Sequence, residues 1–150
     1  MQNLHALAAL LDVTIDYDDL THLGRDGDYD RRTRTIRLQR GMLYRLERSV
    51  LAHELIHVIR DDEKTMFGFY DARDERIADE LAGYLLFEIS EYRLAEEKCG
   101  SHIEGIALEL GVMGWVIEAF QRSLDRLGES VYVHGRMGVG QFVARFEAVA

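Results

Sequence analysis

The sequence has no proline and only one cysteine, Cys99, in 150 residues. A lone cysteine has no partner for an internal disulfide bond, so the fold must be stabilised by a packed core. No apolar run approaches 18 residues, and we therefore expect no transmembrane helix. Residues 1–11 are apolar but lack the basic start of a signal peptide, so the expected location is the cytoplasm.

Positive charge is also scarce, with 18 basic residues against 27 acidic residues and a net charge of −9. Nucleic-acid binding generally requires a basic field that attracts phosphates, so the composition argues against direct contact with DNA or RNA. We interpret the arginines between residues 31 and 48 as a solvated surface that balances nearby aspartates. Hydrophobic residues form 47% of the chain, which suits one globular domain.

Strand patterns occur early in the chain and helical patterns follow them. Residues 13–17 and 33–38 alternate between polar and apolar and predict strands, while the polar segment 25–30 predicts a turn. Apolar spacings of three and four predict helices over 4–11, 42–60, 72–89, 91–98 and 103–127, the last with a break around Gly111. Strands followed by helices indicate an α+β fold with a small N-terminal antiparallel sheet.

The sequence HELIH at residues 53–57 forms an HExxH motif within a predicted helix. Histidines four residues apart project from one face of a helix, so His53 and His57 can bind one zinc ion. Glu54 lies beside that face and can act as the general base, accepting a proton as a zinc-activated water attacks a carbonyl. The same motif would also arise if His53 and His57 were structural residues of the core with satisfied hydrogen bonds. The metal-site interpretation therefore needs support from elsewhere in the chain.

Glu75 supplies this support from the next predicted helix. A catalytic zinc ion takes three protein ligands and keeps one open position, and two histidines with one glutamate form a common set. Asp79 lies one turn after Glu75 and faces the same way, so we expect it to orient a ligating imidazole, His57 in particular. A solvated pair of carboxylates is the simpler interpretation of Glu75 and Asp79 taken alone.

These segments together resemble the ImmA/IrrE family of metallopeptidases. The resemblance is carried by LAHELIH at residues 51–57 and ERIADELA at residues 75–82, and it covers about residues 10–127. It implies a minimal zincin fold of the gluzincin type, in which a small sheet and a helical half enclose a zinc cleft. It also implies His53, His57 and Glu75 as the metal ligands and Glu54 as the general base. Asp79, where the family commonly has asparagine, and the missing proline after Leu86 are departures that leave the metal ligands intact.

The resemblance further implies a zinc-dependent endopeptidase that cleaves a specific regulatory protein, typically a helix-turn-helix transcriptional repressor of phages, mobile elements or stress responses. The expected peptidase domain spans residues 1–130, and residues 131–150 are expected to form a flexible or docking tail. The alternative is a non-catalytic adaptor of the same fold that binds a repressor or another partner protein.

Three further features have less specific patterns. Tyr70 and His102 are candidate oxyanion stabilisers, but loop packing for Tyr70 and helix capping or a surface position for His102 are the favoured interpretations. The strand around Ile36 is a candidate edge for binding an extended peptide. Residues 103–127 have the spacing of a helix-turn-helix core, but the second helix offers Trp115 and Glu118 where a DNA reader needs basic side chains, which favours a packing or docking role.

Overall fold

The computed structural model of the protein describes residues 3–129, and their fold is α+β, as predicted. A three-stranded sheet occupies the first third of the chain, and helices form most of the described residues after it. The elements in chain order are α1 (Leu4–Leu10), β1 (Thr14–Asp18), a 3-10 turn (Thr21–Leu23), β2 (Gly27–Asp30), β3 (Thr35–Gln39), α2 (Tyr44–Arg60), α3 (Ala72–Leu86), α4 (Ile89–Cys99), α5 (Ile103–Leu110) and α6 (Gly114–Glu129). No helix in these residues is long and apolar enough to cross a lipid bilayer. The predicted tail, residues 131–150, lies outside the described residues.

The sheet is mixed, which corrects the expectation of an antiparallel one. β3 is the central strand, and it pairs antiparallel with β2 but parallel with β1. The 3-10 turn and β2 together separate β1 from β3, and this length of chain allows a parallel return. Alternation of polar and apolar residues shows which face of a strand is buried but carries no information on the direction of its neighbour.

β2 occupies the segment for which the sequence predicts only a turn. Its residues Gly27, Asp28 and Tyr29 are all buried, so the strand has no alternation by which it could be recognised. β2 is also an edge strand of the sheet, whereas β3 has a strand on both sides. The expectation that the strand around Ile36 binds a peptide at a sheet edge is therefore wrong.

Helix α2 runs through the core and packs against both the sheet and α3. Its residues Leu51, Ala52 and Leu55 are almost completely buried. Helix α3 turns Ala78 and Ala82 inward, and both are fully buried, which matches the close helix approach expected from small side chains. The path of α3 along α2 brings the first turns of α3 beside the histidines of α2.

The pair α5–α6 is fastened to α2 through the backbone of its turn. The break predicted at Gly111 is confirmed, since this residue ends α5 with a left-handed φ of 64°. Arg45 Nε donates to the Val112 carbonyl at 2.8 Å, and Arg48 Nη1 donates to the Leu110 carbonyl at 2.6 Å. Arg45 and Arg48, which were predicted to lie on a solvated surface, therefore connect α2 to the α5–α6 turn by hydrogen bonds.

Candidate metal centre

Helices α2 and α3 bring His53, His57 and Glu75 to one point. The two histidine Nε2 atoms lie 3.1 Å apart, because residues four apart share one face of α2. Glu75, in the first turn of α3, places one carboxylate oxygen 3.2 Å from His53 Nε2 and the other 3.5 Å from His57 Nε2. All three predicted ligands thus converge.

The two Nε2 atoms and the two Glu75 carboxylate oxygens have separations close to those in a zinc site. Tetrahedral zinc with bonds of about 2.0–2.1 Å to nitrogen and oxygen holds its ligand atoms roughly 3.3 Å apart. The three observed separations, 3.1, 3.2 and 3.5 Å, bracket that value. Two imidazole lone pairs and a carboxylate directed at one point repel each other unless a cation or proton lies between them. The residues present therefore fit a metal ion.

Each histidine is oriented by a carboxylate on its other ring nitrogen. His53 Nδ1 lies 2.9 Å from Asp79 Oδ1, and His57 Nδ1 lies 2.9 Å from Asp62 Oδ2. A carboxylate at Nδ1 holds the proton there and leaves the Nε2 lone pair for a metal. The prediction that Asp79 orients His57 is thus wrong: α3 passes His53 at this level, and Asp79 is bonded to that ring.

Asp62 was not recognisable as part of the site from its spacing. It follows Asp61, whose left-handed φ of 57° ends α2 and turns the chain back toward His57. Asp62 is 8% exposed and also accepts hydrogen bonds from Arg60 Nε at 3.0 and 3.2 Å. Arg60 Nη2 in turn donates to Asp74 at 3.0 Å, next to the ligand Glu75. The end of α2 and the start of α3 are therefore joined beside the site.

The charges of the centre favour a cation at its middle. Burial opposes protonation of His53, but hydrogen bonds to Asp79 and Glu75 outweigh it and raise the pKa of His53 to about 10. Burial acts against the ionised form of Glu75 as well, yet contacts with both histidines lower the pKa of Glu75 to about 2. The carboxylates around the two imidazoles thus attract positive charge strongly.

Glu54 lies beside the ligands in a closely packed position. A Cβ atom added to Gly27 of β2 would lie 2.5 Å from Val50 Cγ1 and 3.0 Å from Glu54 Oε1, so strand backbone and carboxylate are in contact. Burial raises the pKa of Glu54, although the neighbouring histidines oppose this shift. Its Oε2 atom is buried and finds no hydrogen-bond partner among the described residues. A raised pKa and a free oxygen are the properties expected of a general base.

The centre opens into a cleft of about 440 Å³ between β2, α2, α3 and the start of α6. Tyr70 lines it, 6% exposed, with its ring stacked on His57 at 3.6 Å between centroids and 7° between planes. Burial raises the pKa of the Tyr70 phenol far above its usual value, so the hydroxyl stays protonated. His102 is not among the described residues that line this cleft; it caps α5 by accepting the Gly105 N–H at 2.9 Å.

A helix-borne HExxH pair, a glutamate from the following helix and an open cleft together define a centre of the metallopeptidase type. The model of the peptidase M78 family, described as the IrrE N-terminal-like domain, matches residues 10–116. The chain belongs to this family, which confirms the resemblance seen in the sequence and supports a metallopeptidase-type function. Comparisons with curated proteins and with solved structures found no significant match.

Proposed function

We propose that the protein is a zinc-dependent endopeptidase that hydrolyses a peptide bond in a specific regulatory protein. The observation that carries the proposal is the convergence of two Nε2 atoms and the Glu75 carboxylate at separations of 3.1 to 3.5 Å, with Glu54 beside them. The open cleft at this point supports a catalytic role, because a structural zinc site is closed by a fourth protein ligand.

His53, His57 and Glu75 would hold the metal, and Asp79 and Asp62 would keep the two imidazoles in the ligating tautomer. When bound there, zinc polarises the scissile carbonyl and lowers the pKa of a water ligand to about 7.

Glu54 carries out the proton transfer. It accepts a proton as water oxygen bonds to the carbonyl carbon, and it delivers that proton to the departing amine nitrogen as the C–N bond breaks. The closely packed site keeps the Glu54 carboxylate in a poorly solvated position, where its basicity is increased.

The substrate backbone is placed along β2 in this proposal. β2 is an edge of the sheet, and Gly27 and Asp28 line the cleft. An extended peptide can add to such an edge as a further strand, which positions a carbonyl group next to the ligands. Tyr70 is the remaining oxyanion candidate, since it lines the cleft with a protonated hydroxyl.

The proposed substrate is a helix-turn-helix repressor, which follows from the family resemblance. The test mixes the zinc-loaded protein with a repressor encoded beside it and follows cleavage by mass spectrometry. We expect one zinc ion per chain and a single cut, and we expect Glu54→Gln to keep the zinc while losing cleavage. Equal cleavage by Glu54→Gln and the wild type would exclude the mechanism.

A non-catalytic adaptor is the alternative function. It would bind the repressor without cutting it, and the Glu54→Gln variant would have the same effect on repressor activity as the wild type. Zinc content alone does not separate the two functions, whereas the fate of the repressor chain does.

A further inference from the structure

Trp115 is the only tryptophan of the chain, and it stands at the metal centre. Its ring lies 6.1 Å from the His53 ring, centroid to centroid, at an angle of 85°. It is half-buried and lines the cleft together with Leu46 and Val50 of α2. A large aromatic side chain therefore forms part of the wall where a substrate would lie.

The remaining cleft lining combines charged side chains with Leu23 and the aromatic Phe69 and Tyr70. The residues from β2 and the turn before it include Arg25, Asp26 and Asp28, which are charged. Leu46 and Val50 share one face of α2 with His53, and Trp115, whose ring lies beside His53, adds a third apolar side chain to this part of the lining. A substrate side chain directed at this apolar wall makes binding more favourable only if it is itself apolar and large.

The position of Trp115 is fixed from both sides along the chain. Gly114 packs against Glu104, because an added Cβ would lie 3.1 Å from Glu104 Oε2. Glu104 Oε1 accepts a hydrogen bond from Arg45 Nη2 at 2.8 Å. On the other side, Val116 and Ile117 are fully buried in the core. The backbone that carries Trp115 is thus held in place before any substrate binds, which reduces the entropy lost on binding.

We propose that the helix-turn-helix-like pair α5–α6 serves peptide recognition, with Trp115 as a specificity-determining residue that selects a large apolar side chain next to the scissile bond. The inference rests on the proposed function and names part of its substrate class. It gives α5–α6 a role that involves no nucleic acid.

Hydroxamates test the inference without requiring the natural substrate. They bind catalytic zinc directly and can carry one chosen side chain. The probes are acetohydroxamate and three peptidyl hydroxamates with an isobutyl, a methyl or a carboxymethyl side chain. Binding to the zinc-loaded full chain is measured by calorimetry, and Trp115 fluorescence provides a second signal in the wild type. We expect the isobutyl compound to bind roughly 10- to 100-fold more tightly than the methyl compound.

Variants assign the preference to Trp115. Trp115→Ala should lose most of the isobutyl preference with unchanged acetohydroxamate affinity, and Trp115→Phe should retain most of it. Leu108→Ala is the matched control, because Leu108 lies on α5 and is 59% exposed; we expect no change. Leu46→Lys should shift the preference toward the carboxymethyl compound by about tenfold. If Trp115→Ala fails to fold, Trp115→Leu replaces it and should lower the isobutyl preference, whereas an unchanged preference would contradict the role of Trp115.

The outcomes separate the two proposals. If acetohydroxamate binds and the three side chains bind equally well to the wild type, the apolar subsite is disproved and the metal centre stands. If the preference persists unchanged in Trp115→Ala, Trp115 does not determine it. If the wild type takes up no zinc, or takes it up without binding acetohydroxamate, the proposed function itself fails and this inference falls with it.

Discussion

Asp62 accepts a hydrogen bond from His57 across the end of α2, with 2.9 Å between Oδ2 and Nδ1. The bond is buried on both sides, since His57 is 0% exposed and Asp62 is 8% exposed. The corresponding bond between His53 and Asp79 is more open, with 37% of the Asp79 side chain exposed. The two imidazoles of the candidate metal centre are therefore held by carboxylates in different surroundings.

Replacing Asp62 should weaken zinc binding. Asp62→Asn removes the negative charge that holds the proton on His57 Nδ1, and loss of a carboxylate that orients a ligating imidazole in this way changes metal affinity about 10- to 100-fold. Competition with a chromogenic chelator measures the effect. Asp16→Asn is the control, because Asp16 is an exposed carboxylate of β1. Equal zinc affinities for Asp62→Asn and Asp16→Asn would show that the bond has no influence on the metal.

Gly27→Ala should impair catalysis through Glu54. The added methyl group would press on Val50 and Glu54, and such overpacking costs about 1–3 kcal/mol of folding stability. We expect zinc to be retained and kcat to fall at least about tenfold as the carboxylate is displaced. In the Glu54→Gln background the same substitution should have little further effect on kcat. Additive losses would indicate that Gly27 acts independently of Glu54.

Tyr70→Phe separates the stacking of the Tyr70 ring on His57 from the proposed role of its hydroxyl group as an oxyanion donor. The ring remains stacked on His57, while the hydroxyl is lost. If the hydroxyl stabilises the oxyanion, kcat should fall about 100-fold with little change in zinc affinity, as for the loss of one oxyanion donor. Steady-state kinetics on the cleaved repressor measure this. An unchanged kcat would leave Tyr70 with a packing role only.

Asp28 should make stability dependent on pH. This carboxylate is 6% exposed and accepts hydrogen bonds from Lys64 and Arg37, both at 2.6 Å. Burial acts to raise the pKa of Asp28, but these two cations outweigh burial and hold the pKa below its usual value. The ionised form is therefore favoured by folding. Its contribution is complete above the unfolded pKa of about 3.9 and is lost as the pH falls toward the lower folded value.

Asp28→Asn tests this relationship. We expect the free energy of unfolding of the variant at pH 7 to be about 2 kcal/mol lower than that of the wild type. This figure is smaller than the cost of breaking a fully buried ion pair, because the cations are partly exposed. The difference from the wild type should shrink below about pH 4. Urea unfolding at pH 7, 5 and 3 measures it, and a gap that stays constant over this range would contradict the prediction.

The three residues that cluster at the centre could be predicted from the sequence, because the chemistry of a shared metal constrains their spacing. Two histidines that share a metal on a helix must be three or four residues apart, so the HExxH motif can be recognised from the amino-acid sequence alone. Glu75 was found through the same requirement for a third ligand. Tyr70 is an oxyanion candidate in the sequence only through its place in the loop between the two metal-site helices, since no local pattern indicates that its ring stacks on His57.

Features that depend on tertiary contacts were missed or misassigned. Asp79 is hydrogen-bonded to His53 and not to His57 because of the position at which α3 crosses α2. The spacing of residues along α3 contains no information on that position. Asp62 lies beyond the end of α2 and reaches His57 only because Asp61 turns the chain back. β2 was read as a turn because its buried residues include a glycine and an aspartate, which strands usually disfavour.

Arg48 joins three parts of the molecule that are distant in sequence. Its guanidinium donates to the carbonyls of Leu86 at the end of α3 and of Leu110 and Gly111 in the α5–α6 turn. In the intact fold this cation is 8% exposed, and a chain that lost α5–α6 would keep it with two of its acceptors gone. Helices α5 and α6 are therefore no separable module: the end of α3, the first half of α2 and the α5–α6 turn depend on one guanidinium and fold as one unit.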